Sequence, residues 1–143
     1  MNGMYLLDTN VISELRKPRP HGAVSAWFSS LRDQDIRVPA VVVAEIQNGA
    51  EVTRRQNPAK ASELELWIDR ILATLVVLPM DGPMFRDWAR LMNGKSADLA
   101  ADAMIAATAR AHRLTVATRN IKDFKRFNVH VFNPFSYSSG KMI

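Results

Sequence analysis

The chain reads as one α/β domain: a mainly parallel sheet covered by helices on both faces. Two observations predict this. Short apolar runs alternate with longer amphipathic stretches along the whole chain, and strands separated by helices pair in parallel rather than as hairpins. At 143 residues, 48% hydrophobic and 23% charged, the chain has the size and composition of a single globular domain with its own core. No internal repeat or long linker divides it.

Met4–Leu7 is the first buried strand, followed by a helix over 9–16 that Pro18 and Pro20 stop. The stretch 22–31 (GAVSAWFSSL) is helical, with Trp27 and Leu31 one turn apart, and 36–38 is a minimal strand. Pro39 opens a helix running to Arg55, and Asn57-Pro58 breaks it. Leu64, Trp67, Ile68, Ile71 and Leu75 fall at helical spacing in 59–75, and 75–78 forms the third strand. Asp81-Gly82-Pro83 turns into a helix through Leu91, which Asn93-Gly94 interrupts. A small-residue helix over 99–112, a strand over 115–117, a short helix over 121–127 and a strand over 130–132 complete the domain, 1–135. The tail SYSSGKMI, 136–143, is expected to be loose.

Bulk properties exclude several classes. There is no cysteine, so disulfides, thiol chemistry and Cys-based zinc sites are out, and a reducing cytoplasm fits. MNGMYLL lacks a basic start, and Asp8 interrupts the apolar stretch too early for a signal peptide. The longest apolar run, ILATLVVLPM at 71–80, is half a membrane span, so no membrane role is expected. The net charge of +5 favours a polyanionic partner without naming it.

In parallel sheets, sites form outside the carboxyl ends of the strands. Asp8 follows the first strand directly, and Asp123 lies a few residues past the fourth. Glu45 borders the apolar stripe of its helix, with Gly49 one turn on leaving space for a ligand. Asp102 opens a face continued by Ile105, Ala106 and Ala109. Three of these four acids have a simpler reading: a helix cap for Asp8, a salt bridge for Glu45, a helix-start acid for Asp123. Asp98, one turn before Asp102, is an accessory candidate or a helix cap ahead of Leu99. Together, four converging carboxylates are prohibitive without a cation, and carboxylates without Cys or paired His suit Mg²⁺ or Mn²⁺. Such ions handle phosphate oxygens, so a metal-dependent nuclease is the first expectation.

The remaining motifs are weak. His21, His112 and His130 have no metal-ligand spacing, and the six glycines form no phosphate loop. DTN at 8–10 lacks the second acid that both an aspartyl phosphatase and a phosphoacceptor receiver need. Trp27, Trp67 and Trp88 lie on amphipathic helices and are read as packing residues. Lys17, Arg19, Arg54, Arg55, Lys122, Lys125 and Arg126 either steer phosphates or are simply solvated.

Taken in order, LLDTNVISEL, VAEIQNG, DAMIAATA and TRNIKDF resemble the PIN-domain ribonucleases, specifically the VapC/FitB-like toxins of bacterial toxin–antitoxin pairs. The resemblance runs from about Met4 to Pro134. It implies a Rossmann-like α/β/α sandwich, an endoribonuclease dependent on Mg²⁺ or Mn²⁺, and a small cognate antitoxin of the VapB/FitA kind. It also implies a cytoplasmic homodimer that meets DNA only through the antitoxin. Asp8, Glu45 and Asp102 match the family's metal-holding acids, and Asp123 matches the acid of the final motif. Thr118 and Asn120 match that motif's polar positions, where many members carry an acid at the place of Asn120. Asp98 matches no family acid. The exposed apolar faces of 22–31 and 59–75 are expected to serve docking or dimerisation. The competing reading is a non-catalytic PIN-like module that binds RNA or protein.

Overall fold

The computed structural model describes residues 4–138. Five strands, β1 (Tyr5–Leu7), β2 (Ile36–Pro39), β3 (Val76–Leu78), β4 (Thr115–Ala117) and β5 (Val131–Phe132), form one sheet in the order β3-β2-β1-β4-β5. Every neighbouring pair is parallel, with Tyr5 opposite both Ile36 and Thr115. The chain steps outward from β1 to β3 and then returns to β1's other side as β4. The order therefore reverses between β1 and β4, where open α/β sheets part to leave a crevice.

Among the described residues seven α-helices flank the sheet: α1 (Thr9–Arg16), α2 (Gly22–Ser29), α3 (Ala40–Arg54), α4 (Pro58–Thr74), α5 (Gly82–Met92), α6 (Ala100–His112) and α7 (Ile121–Lys125). The expected elements are all present, with bounds shifted by one or two residues. Pro39 precedes α3 as its cap, with extended backbone, rather than forming its first turn. Pro58 does open α4, with Asn57 Oδ1 accepting from Lys60 N at 3.1 Å. At the end of α6, Arg113 takes the left-handed conformation, φ 55°, to turn the chain into β4.

The core is continuous. Leu6, Leu7, Ile36, Val38, Val116 and Ala117 from the strands are buried beneath Val11, Val42, Ile105 and Phe124 from the helices. Trp27 is buried too, edge-on to Tyr5 with ring centroids 5.1 Å apart and beside Phe132. The apolar face of α2 is thus spent inside the molecule, which corrects the expectation that 22–31 offers an exposed surface. On α4, Leu66 and Leu72 are exposed, as expected for part of that helix.

The expected loose tail, 136–143, lies mostly outside the described residues. Of its described part, Ser136 ends a 3-10 turn over Pro134–Ser136, and Tyr137 packs against the core. No helix of the described residues is long and apolar enough to cross a membrane.

Candidate functional site

The site begins with the β1–β4 seam. Asp8 N donates to Ala117 O at 3.0 Å, so the residue after β1 continues the ladder. This pins the Asp8 side chain at the carboxyl end of the sheet, where it is only 4% exposed. Its Oδ1 accepts from Thr9 N at 2.7 Å, capping α1. Its Oδ2 accepts from Thr118 Oγ1 at 2.7 Å and from Asn10 Nδ2 at 3.2 Å. Asp8 is therefore a helix cap and a site residue at once, and the two readings do not exclude each other.

Thr118 holds this arrangement from the β4 side. Fully buried, it accepts from Asn120 N at 2.9 Å while donating to Asp8. Its hydroxyl hydrogen is thus committed to the carboxylate. Asn120 is exposed, precedes α7 and makes no side-chain cap bond. Asn10 bridges the two strand ends, since its Oδ1 also accepts from Arg119 N at 3.3 Å.

Glu45 differs from its expected placement. It sits on α3 but is exposed rather than on the packed side, because Val42, Ile46 and Ala50 take the buried stripe. Its Oε1 accepts a hydrogen bond from Thr9 Oγ1, which ties α3 to the start of α1. The space beside Gly49 is open, as expected.

Asp102 lies in the first turn of α6, half-buried. Burial pushes its carboxyl up to about 6, and the negative charges of Asp8, Asp123 and Glu45 push in the same direction. The structure thus brings the four predicted acids within electrostatic reach of one another. Asp8 is raised as well, first by burial and finally by the charge of Glu45, against the lowering effect of its bonds to Thr118 and Thr9. Asp123, on α7, lies 3.7 Å from Arg126 Nη2 through its Oδ1, an ion pair one helical turn long.

Asp98 does not join this group. It is exposed in a 3-10 turn over Ala97–Leu99, its charge is not among those acting on Asp102, and Ser96 rather than Asp98 caps the turn. The cap expected ahead of Leu99 is therefore supplied by a serine two residues earlier. In the sequence Thr9 is legible only as a helix start and Asn10 only as the place of a missing second acid, although both adjoin Asp8.

The donor set suits a hard divalent cation. All candidate donors are carboxylate oxygens, and among the described residues Asp8, Glu45 and Asp102 form no ion pair with Lys, Arg or His. Also among the described residues, no three acids or histidines are already gathered tightly enough to hold an ion.

A parallel sheet with strand order 3-2-1-4-5 and acids at the edge where the order reverses defines an open α/β protein with its site at the carboxyl ends of the strands. The PIN domain family matches residues 5–129, and the chain belongs to it. It is 40% identical over 140 residues to a protein described as toxin FitB from Neisseria gonorrhoeae, covering 92% of this chain and 99% of that one. It is 37% identical over 141 residues to VapC ribonuclease Y4jK from Sinorhizobium fredii, covering 92% and 98%. Among solved structures, the FitAcB crystal structure from Neisseria gonorrhoeae superposes with TM-score 0.80 at 40% identity, over 93% of this chain and 99% of that one. FitAB bound to an IR36 DNA fragment does so with TM-score 0.80 at 38% identity, over 94% and 98%.

Proposed function

We propose that this protein is the toxin of a toxin–antitoxin pair, an endoribonuclease that needs Mg²⁺ or Mn²⁺ and is inhibited by a cognate antitoxin. The observation that carries the reading is the pressure on Asp102. Burial first, and then carboxylates from three other elements, raise its proton affinity, and among the described residues no cation pairs with Asp8, Glu45 or Asp102. A folded protein that gathers such charges gains from a divalent ion that offsets them. The relatives named as a toxin and a ribonuclease support the activity, and the FitA–FitB complexes support a small protein partner.

In this reading Asp8, Glu45 and Asp102 hold the ion. When bound, it supplies Lewis acidity, acidifying a water and offsetting charge on the phosphodiester. Thr118, Thr9 and Asn10 fix the Asp8 carboxylate in one orientation, and Thr9 does the same for Glu45. Asp123 and Asn120, at the start of α7, orient the attacking water. Thr118 contributes by positioning Asp8, because its hydrogen is already engaged. No histidine is needed as general base, and among the described residues none bonds to the four acids.

The partners follow: RNA as substrate, a VapB/FitA-like antitoxin, a second copy of the chain as homodimer, and DNA only through the antitoxin. The working compartment is the cytoplasm, and the nuclease domain spans 1–135.

The deciding experiment incubates total cellular RNA with wild type or Asp8→Asn in Mg²⁺ or Mn²⁺. Wild type should cleave, and both Asp8→Asn and wild type in excess EDTA should not. Full activity of either control overturns the mechanism. The non-catalytic alternative takes its support from the open spacing of the acids, and it predicts no cleavage by wild type and no stabilisation by either ion.

A further inference from the structure

Within the TRNIKDF segment, Arg119 neither holds the ion nor orients water. Arg119 follows Thr118 directly, and its backbone N is bound to Asn10, so its position is tied to that of Asp8. Its guanidinium lies over the ring of Phe135, 4.0 Å from the centroid. Phe135 is held in turn: its N donates to Asn133 Oδ1 at 3.0 Å, and the His21 ring meets it edge-on at 5.3 Å. Both residues stand past the carboxyl ends of β4 and β5, on the side of the sheet where Asp8 lies.

The chemistry of this pair is specific. A guanidinium on an aromatic face is held through its plane, which leaves its in-plane N–H donors free. Arg126, Arg110 and Arg54 spend donors on carboxylates, whereas among the described residues Arg119 makes no ion pair. An exposed fork of donors, anchored next to Thr118 at the carboxyl end of the sheet, matches a phosphate diester. It also answers a problem of the site, because a ring of acids repels the polyanion it must bring close.

Resting on the ribonuclease reading, we propose that Arg119, seated on Phe135, binds the RNA backbone phosphate that flanks the scissile bond. The pair then sets how far the strand runs past Asp8, with Arg119 as a substrate-binding residue and Phe135 and His21 as its support.

The test is equilibrium binding of a fluorescent single-stranded oligoribonucleotide in EDTA, followed by anisotropy across a salt series. Because no cleavage is needed, failure here is distinguishable from failure of the nuclease reading, which the RNA cleavage assay reports. Arg119→Ala should lose about tenfold in affinity, and its log–log salt slope should become shallower by about 0.7, one phosphate contact. Phe135→Leu should weaken binding yet keep the slope, since it leaves the charge and removes its support. Arg70→Ala, which deletes an exposed cation on α4, should stay near wild type. Unchanged affinity and slope in Arg119→Ala overturns the proposal, as does an equal loss in Arg70→Ala or no RNA binding by wild type. Thermal melting of each variant separates a lost contact from a lost fold.

Discussion

Thr118, fully buried at the end of β4, donates its hydroxyl hydrogen to Asp8 Oδ2 at 2.7 Å across the seam between β1 and β4. The bond favours the ionised carboxylate and counters the burial that pushes Asp8 upward.

Thr118→Val keeps the shape and removes the donor. Stability should fall by about 1–2 kcal/mol in urea denaturation, the cost of stripping a buried acceptor of one partner. Asp8 should become harder to ionise, so the acid limb of the cleavage–pH profile should move to higher pH. An unmoved limb would show that Asp8 ionisation does not govern the rate.

Asp102 titrates near 6 in the folded protein against 3.8 for an ordinary Asp, so the folded state binds its proton more readily than the unfolded chain. Its metal-free contribution to stability is fully present below about 3.8 and is lost as pH rises through about 6. The unscreened ceiling is about 3 kcal/mol, and half-exposure reduces it. Asp102→Asn should flatten this slope and be about 1 kcal/mol more stable than metal-free wild type at neutral pH. Paired melts at acid and neutral pH check both signs.

Mg²⁺ or Mn²⁺ should raise the wild-type melting temperature progressively, by about 2.7 kcal/mol of stabilisation at a hundredfold excess over Kd. Asp8→Asn and Asp102→Asn should each blunt the response. Calorimetry with the ion alone reads this without any RNA, and a flat wild-type titration would remove the ion from the account.

Thr9→Val should leave the fold nearly untouched, within about 0.5 kcal/mol, because the bond it loses is exposed. Glu45 would lose the hydroxyl that orients it, and cleavage should drop about tenfold. Thr9→Ser should restore most of the rate, whereas equal rates in all three proteins would make the Thr9–Glu45 contact incidental.

Much of the architecture was legible because each strand is a short apolar run between helical patterns, and one parallel arrangement satisfies them all. The convergence of Asp8, Glu45, Asp102 and Asp123 was legible for a related reason: charges at strand ends and helix starts gather on one side of such a sheet. Burial of the individual acids was less so. Val42 and Ile46, three residues before and one after Glu45, put it beside the apolar stripe and predict packing, yet the buried stripe runs through Val42, Ile46 and Ala50 and leaves it in solvent. The role of Asp98 was obscured by a 3-10 turn, whose tighter winding breaks the one-turn relation to Asp102. The Arg119–Phe135 contact joins residues from two separate strand ends, and no local periodicity announces it.

The amide of Asp8 is the last rung between β1 and β4, and that of Thr118 bonds to Phe132 at 2.9 Å. Hydrogen exchange at both positions should accordingly be as slow as in the middle of the domain, so the floor of the crevice opens only when the whole molecule does. Glu45 and Asp123 ride on helices outside that ladder. Whatever adjustment a bulky guest demands therefore falls on the walls, while the base keeps its register.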